Sequence, residues 1–249
     1  FIHIPKNVQV DKPIQVIYFS TGENESVFYQ PRNLIIVGEN SQVEIIERHQ
    51  SLSENSVLVN SVSEIYCNAR SVVKHYKIQN DKTNASLIDN TFASQERNSD
   101  YSLHTFSLGG ELTRNNLSII QNGERIESTI NGITIIGENQ HVDHNTLIHH
   151  KKPNCNSNQD YKGIFGDNSV GDFNGQVMVE KEAQKTNAFQ ANNNVLTSDK
   201  ATINTKPQLE IFADDVKCSH GCTVGQLDQN ALFYLRSRGI PVSYTHLRA

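Results

Sequence analysis

The densest group of metal-ligating side chains in this 249-residue chain is Cys218-Ser219-His220-Gly221-Cys222, which holds two of its four cysteines and one of its ten histidines. If the stretch is extended, positions 218, 220 and 222 project to one face, about 6.6 Å apart for each step of two. With Cys sulfur at about 2.3 Å and His nitrogen at about 2.0 Å from a metal, two adjacent members can share one ion. The outer pair, about 13 Å apart, cannot unless Gly221 bends the chain. At most two ligands per ion therefore come from this stretch, and the others must come from elsewhere or from a second chain. Thiolate plus imidazole favours iron, zinc or copper(I) over magnesium or calcium. Two other readings stand beside this one. In the first, Cys218 is a nucleophile and His220 its base, although no orienting third group or oxyanion hole is evident. In the second, Cys218 or Cys222 packs as a small apolar residue.

Other chemistry-bearing groups are more scattered. "HVDHNTLIHH" offers His141, His144, His149 and His150. On a strand His144 shares a face with His150 but not with His149, so solvated histidines at a loop or interface are expected. Asp167, Asp172, Asp214 and Asp215 have no spacing that makes a calcium ligand set and are expected at solvated corners. The chain contains no GxxxxGK[ST], so it binds no nucleotide through a P-loop and must borrow nucleotide energy from a partner.

The elements that position these residues read as strands. Apolar and polar residues alternate at Ile14, Val16 and Tyr18; Val43 and Ile45; Val57 and Val59; Tyr101 and Leu103; Ile133 and Ile135; and Val177 and Val179. Gly and Asn punctuate the runs, and the punctuation recurs. "LIIVGENSQVEII" around Gly38 matches "ITIIGENQHVDHN" around Gly137, and "INGITII" around Gly132 matches "FNGQVMV" around Gly175. Gly110 to Gly132 spans about 22 residues and Gly132 to Gly175 about twice that, which predicts stacked coils of roughly 20 residues, a parallel β-helix rather than an antiparallel sandwich. Asn is expected at left-handed corners and in side-chain ladders between coils. "LDQNALFYLRSRGI" predicts a short helix over 227–240 that caps a solenoid core over 1–226, with Asp228 as N-cap and Gly239 as stop. The final residues, 241–249, match neither period and read as a foreign or disordered tail.

A net charge of −5 and pI near 6.1, with Lys and Arg dispersed, provide no basic surface for nucleic acid. No apolar run reaches the roughly 18 to 20 residues of a membrane helix. No leader precedes the first strand, although the chain starts at Phe1 without an initiator Met. Four cysteines are too few for a disulfide framework, which favours a reducing compartment and a cytoplasmic location.

From about Asn145 to Ile240 the chain, including "ADDVKCSHG", "TVGQLD" and "LFYLRSRGI", closely resembles the SufB/SufD family of iron–sulfur cluster assembly proteins, with a looser match over the first 140 residues. It is most similar to the SufD branch, because the SufB branch typically has an acidic residue beside the His. The resemblance implies a right-handed parallel β-helix and a non-catalytic scaffold subunit for iron acquisition and cluster assembly. It implies pairing with a SufB-type protein and work with a SufC-type ABC ATPase. It implies that Cys218 and His220 handle iron or a transient cluster shared with the SufB-type partner. Cys222 stands where many relatives have Ala and takes no family role, which leaves it as a packing residue. Family members carry C-terminal helices after "SRGIP" that help dock the ATPase, and "VSYTHLRA" follows it here, so docking by this chain does not follow from the match. The alternative of another class is a polysaccharide-acting β-helix lyase or hydrolase, which needs clustered carboxylates or a basic group in an exposed groove.

Overall fold

A computed structural model describes residues 1–21, 25–226, 233–234 and 237–239. The alternating stretches form strands that wind into a parallel β-solenoid of two stacked sheets. One sheet stacks β1 (Ile2–Ile4), β4 (Arg32–Val37), β6 (Val57–Cys67), β8 (Ala85–Gln95), β10 (Leu112–Gln121), β12 (His141–His150), β14 (Val170–Val179) and β16 (Thr202–Ile211), with β3 (Val27–Tyr29) also on β6. The other stacks β2 (Ile14–Ser20), β5 (Gln42–Ser51), β7 (Val72–Gln79), β9 (Asp100–Ser107), β11 (Glu127–Ile136), β13 (Asn156–Phe165), β15 (Thr186–Leu196) and β17 (Val216–Gln226). All pairings between these strands are parallel, as the repeat pattern predicts.

The coil is longer than the expected 20 residues. Leu112 aligns with His141 and His141 with Val170, a repeat of 29 residues. The "NG" motifs misled because Gly132 lies on β11 and Gly175 on β14, in opposite sheets. Their similarity reflects a shared task rather than one coil. A Cβ on Gly132 would lie 2.2 Å from the Tyr161 ring, and one on Gly175 would lie 2.1 Å from the Gln190 amide. Each glycine opens room inside the solenoid for a long side chain from the opposite sheet or the next coil.

The first seven of the corners that lead from the first sheet into the second each carry one left-handed residue, Asn7, Asn40, Arg70, Asn98, Arg125, Asn154 and Lys185, and the last, between β16 and β17, carries none. Such a conformation turns the chain through the corner while its N–H stays in the ladder. Asn40, for example, donates to the Ala69 carbonyl at 3.1 Å and Asn154 to the Gln184 carbonyl at 2.9 Å. Asn is the expected residue here and supplies four of the seven. The expected ladder exists as well: Asn116 donates to Asn90 at 2.9 Å, and Asn90 to Asn60 at 3.2 Å.

Val43, Ile45, Val57, Val59, Tyr101, Leu103, Val177 and Val179 are buried inside, as their alternation predicts. Ile133 and Ile135 are not. They face outward, because Ile130, Gly132, Thr134 and Ile136 take the inner positions of β11. The interior becomes polar along its length, with Gln95, Gln121, Gln159 and Gln190 all buried.

The histidines of β12 also depart from expectation. His141 and His149 face outward, each 2.7 Å from a carboxylate of the next coil, Asp172 and Glu180. Asp172 therefore sits on a strand rather than at a corner. His144 and His150 are buried rather than solvated. His144 lies 3.0 Å from the Thr134 hydroxyl and 3.3 Å from the Asn115 amide, and His150 lies 2.9 Å from the Ser157 hydroxyl. Burial lowers both imidazoles to about 4. Each therefore stays neutral in the fold while its unfolded counterpart takes up a proton near pH 6.5. Full stability is present above that pH and is lost as pH falls towards 4, at about 3 kcal/mol per histidine. Urea midpoints measured from pH 7 to 4.5 are expected to fall steeply, and His144→Gln is expected to flatten the profile.

The last strand ends at Gln226. The expected helix over 227–240, with Asp228 as its cap, and the tail over 241–249 lie outside the described residues apart from a fragment. Phe233, Tyr234 and Ser237 are helical, and the Arg238 N–H donates to the Tyr234 carbonyl at 3.2 Å.

Candidate metal centre

Among the described residues β17 is the terminal strand of its sheet and pairs only with β15, as β16 pairs only with β14. The last coil is therefore open. Its residues alternate in and out like those of every other coil, but among the described residues no further coil covers them. Register fixes which way the cysteines and His220 point. Cys218 aligns with buried Ala188, His220 with buried Gln190, and Cys222 with buried Asn192. All three candidate side chains thus project to the inner face of the solenoid at its open end.

Each continues a column that crosses several coils. The His220 column runs back through Gln190, Gln159, Ile130, Leu103 and His75. Beyond buried His75 at its far end, the column passes from apolar Leu103 and Ile130 to polar Gln159 and Gln190 towards the opening. The Cys222 column runs through Asn192, Tyr161 and Gly132. The sheet therefore presents two amides, Gln190 and Asn192, directly beneath His220 and Cys222.

The cysteines differ sharply in environment. Cys67 and Cys155 are buried, and burial raises both thiols, so they behave as core residues. Cys218 is half-buried at the margin of the small apolar cluster that contains Val177, Val179 and Ala188, and burial raises its thiol as well. This is the opposite of what an activated nucleophile needs. Cys222 is exposed, so the packing role expected for it does not hold among the described residues. Its inner neighbour in register is Asn192 rather than an apolar residue.

Among the described residues no three His, Cys, Asp or Glu side chains are gathered to hold one metal ion. Cys218 and His220 share a face and an accessible edge, which suits two ligands of an incomplete set. The donors are soft enough for iron. An open groove of about 540 Å³ runs over the outer face of the same sheet, lined by the outward residues Asp160, Lys162 and Phe189, on the side away from the inner row of Cys218 and His220.

Sequence reasoning did not single out Gln190. Gln190 is 3 % exposed, and among the described residues neither its amide nitrogen nor its oxygen has a hydrogen-bond partner. The signal available was its parity: Gln190 stands in phase with Ala188 and Asn192 on a strand whose inner row is polar.

The family model for the SUF system FeS cluster assembly SufBD core domain matches residues 18–244. An iron–sulfur cluster assembly SufBD family protein of Synechocystis is 37% identical over 247 residues, covering 96% of this chain and 54% of its own length. The iron–sulfur cluster assembly protein SufD of Escherichia coli is 34% identical over 244 residues, covering 96% of this chain and 57% of its own. The chloroplastic protein ABCI7 of Arabidopsis thaliana is also 34% identical, over 246 residues, with 96% and 52% covered. The chain spans about half the length of these curated relatives. A parallel solenoid whose sequence matches the core-domain model over most of its length places the chain in the SufBD family of iron–sulfur cluster assembly proteins, on its SufD-like side.

Proposed function

We propose that this chain is a non-catalytic scaffold subunit that receives iron for nascent clusters, with Cys218 and His220 as its ligands. The observation that carries the reading is their common inward face on β17, the last strand of its sheet, whose outer edge has no partner strand among the described residues. Among the described residues no strand pairs with the outer edges of β16 and β17, and such an edge is completed most directly by strands of another chain. A SufB-type protein that docks there covers the opening and brings the missing ligands. Iron is the cargo of this site rather than a resident cofactor.

Cys218 must lose its proton to bind iron, and burial raises its thiol. Iron uptake therefore releases a proton and weakens as pH falls. The scaffold works with a SufC-type ABC ATPase and operates in the cytoplasm. No helix among the described residues is long and apolar enough to cross a membrane.

The test is co-expression with a SufB-type protein and a SufC-type ATPase, each separately tagged. The chain is expected to co-purify with the SufB-type protein whether or not the ATPase is present. A folded chain that elutes alone under these conditions contradicts the pairing.

A further inference from the structure

Building on the Cys218–His220 reading, we propose that Gln190 is the inner polar wall of the site and donates its amide N–H to the anionic ligand atom on the iron, a thiolate or sulfide sulfur. Gln190 aligns with His220 one coil deeper, and adjacent parallel strands lie about 4.8 Å apart. Its amide is buried, with both nitrogen and oxygen unpaired. A native interior seldom leaves a carboxamide wholly unsatisfied without a reason. Gly175 supplies the space: a Cβ there would lie 2.1 Å from the Gln190 nitrogen, so the glycine is what lets the amide reach across the interior beneath the opening.

The next residue down the column supports the same reading. The Gln159 oxygen accepts from the Thr146 hydroxyl at 2.7 Å, while its nitrogen is buried and unpaired. Two unpaired amide nitrogens thus stack under His220 against one unpaired amide oxygen, that of Gln190, so donors outnumber acceptors. Such an arrangement favours an electron-rich guest over a bare cation. A thiolate or sulfide on iron fits it, because N–H···S bonds stabilise the charge that the metal–sulfur unit carries.

This role makes opposite predictions for stability and for binding. An unpaired buried amide costs the empty chain stability, so Gln190→Met, which keeps the volume and removes the polar atoms, should raise the unfolding midpoint by about 2–4 °C. The same change should weaken metal binding about tenfold, within the range seen when groups that support metal ligands are removed.

The experiment titrates Co(II) anaerobically into the complex with a SufB-type protein. It follows the thiolate-to-metal charge-transfer band and compares wild type, Gln190→Met, Gln159→Met, Cys218→Ala and His220→Ala. Weaker binding and a shifted band in a Gln190→Met protein that is at least as thermostable as wild type supports the proposal. Wild-type affinity and band in Gln190→Met, with binding lost in Cys218→Ala and His220→Ala, overturns it and leaves the ligand reading intact. Gln190→Met that is less stable yet binds normally assigns Gln190 to packing alone and also overturns it. Wild-type binding in Cys218→Ala and His220→Ala overturns the ligand reading and the proposal with it.

Discussion

Lys77→Met should cost about 3–5 kcal/mol, an effect large enough to threaten the fold although the residue lies far from the candidate site. Lys77 is 4 % exposed, and its ammonium lies 2.5 Å from the Asp89 carboxylate, 2.6 Å from the Thr91 hydroxyl and 3.6 Å from the Glu47 carboxylate. Burial alone would push its pKa down, but Asp89 and Glu47 outweigh burial and raise it. Glu47 shows the mirror effect. Burial raises its carboxyl, yet Lys77 and His75 hold it below the usual carboxylate range. Removing the ammonium leaves two carboxylates inside the solenoid with only hydroxyl donors from Ser61 and Ser63 and the His75 ring, 3.3 Å from Glu47.

The loss should appear as a fall of about 10 °C in the thermal midpoint, at about 2–4 °C per kcal/mol for a chain of this size. It should change little with added salt, because buried pairs are poorly screened. The triple variant Glu47→Gln, Lys77→Met, Asp89→Asn should recover much of it, since removing all the charge together avoids the unpaired state. A Lys77→Met chain that melts with wild type would show that the cluster is not electrostatically coupled.

This cluster also marks where the sequence stops being legible. The strands were readable because Val43 and Ile45, or Tyr101 and Leu103, mark the inner row by hydrophobicity alone. Glu47 follows in the same phase and is equally buried, but a carboxylate at that position reads as a corner or an outward residue until its partner is known. That partner, Lys77, lies one coil away in register, and register is a tertiary fact. His144 and His150 were misplaced for the same reason. Their shared face was deducible from spacing, but which face was the inner one depended on Val142 and Ile148 being core residues. The repeat length failed because similar glycine motifs serve both sheets.

The candidate site was more legible than the interior around it. Alternation alone put Cys218, His220 and Cys222 on one face, and the structure adds that this face is the inner one at an open end. What the sequence could not supply was the setting: an exposed Cys222, a half-buried Cys218 and an unpaired Gln190 beneath them. These follow from the stacking of β15 under β17. They are the surroundings in which the proposed ligand pair would be completed by a second chain.

The second large effect concerns that half-site. With at most two ligands available from this chain, loss of either leaves one, and a single thiolate or imidazole on an open edge holds iron no better than many surface groups do. Cys218→Ala and His220→Ala should each reduce iron loading severely, while the fold survives, because both residues lie on the last coil and only Cys218 packs against the core, at its margin. Cys222→Ala should leave loading close to wild type. The most direct measurement is anaerobic reconstitution of the chain with a SufB-type partner, followed by quantification of bound iron and sulfide. The account predicts stoichiometric loading for wild type and Cys222→Ala and a loss of most iron and sulfide for Cys218→Ala and His220→Ala. Loading of both variants at the wild-type level would contradict it.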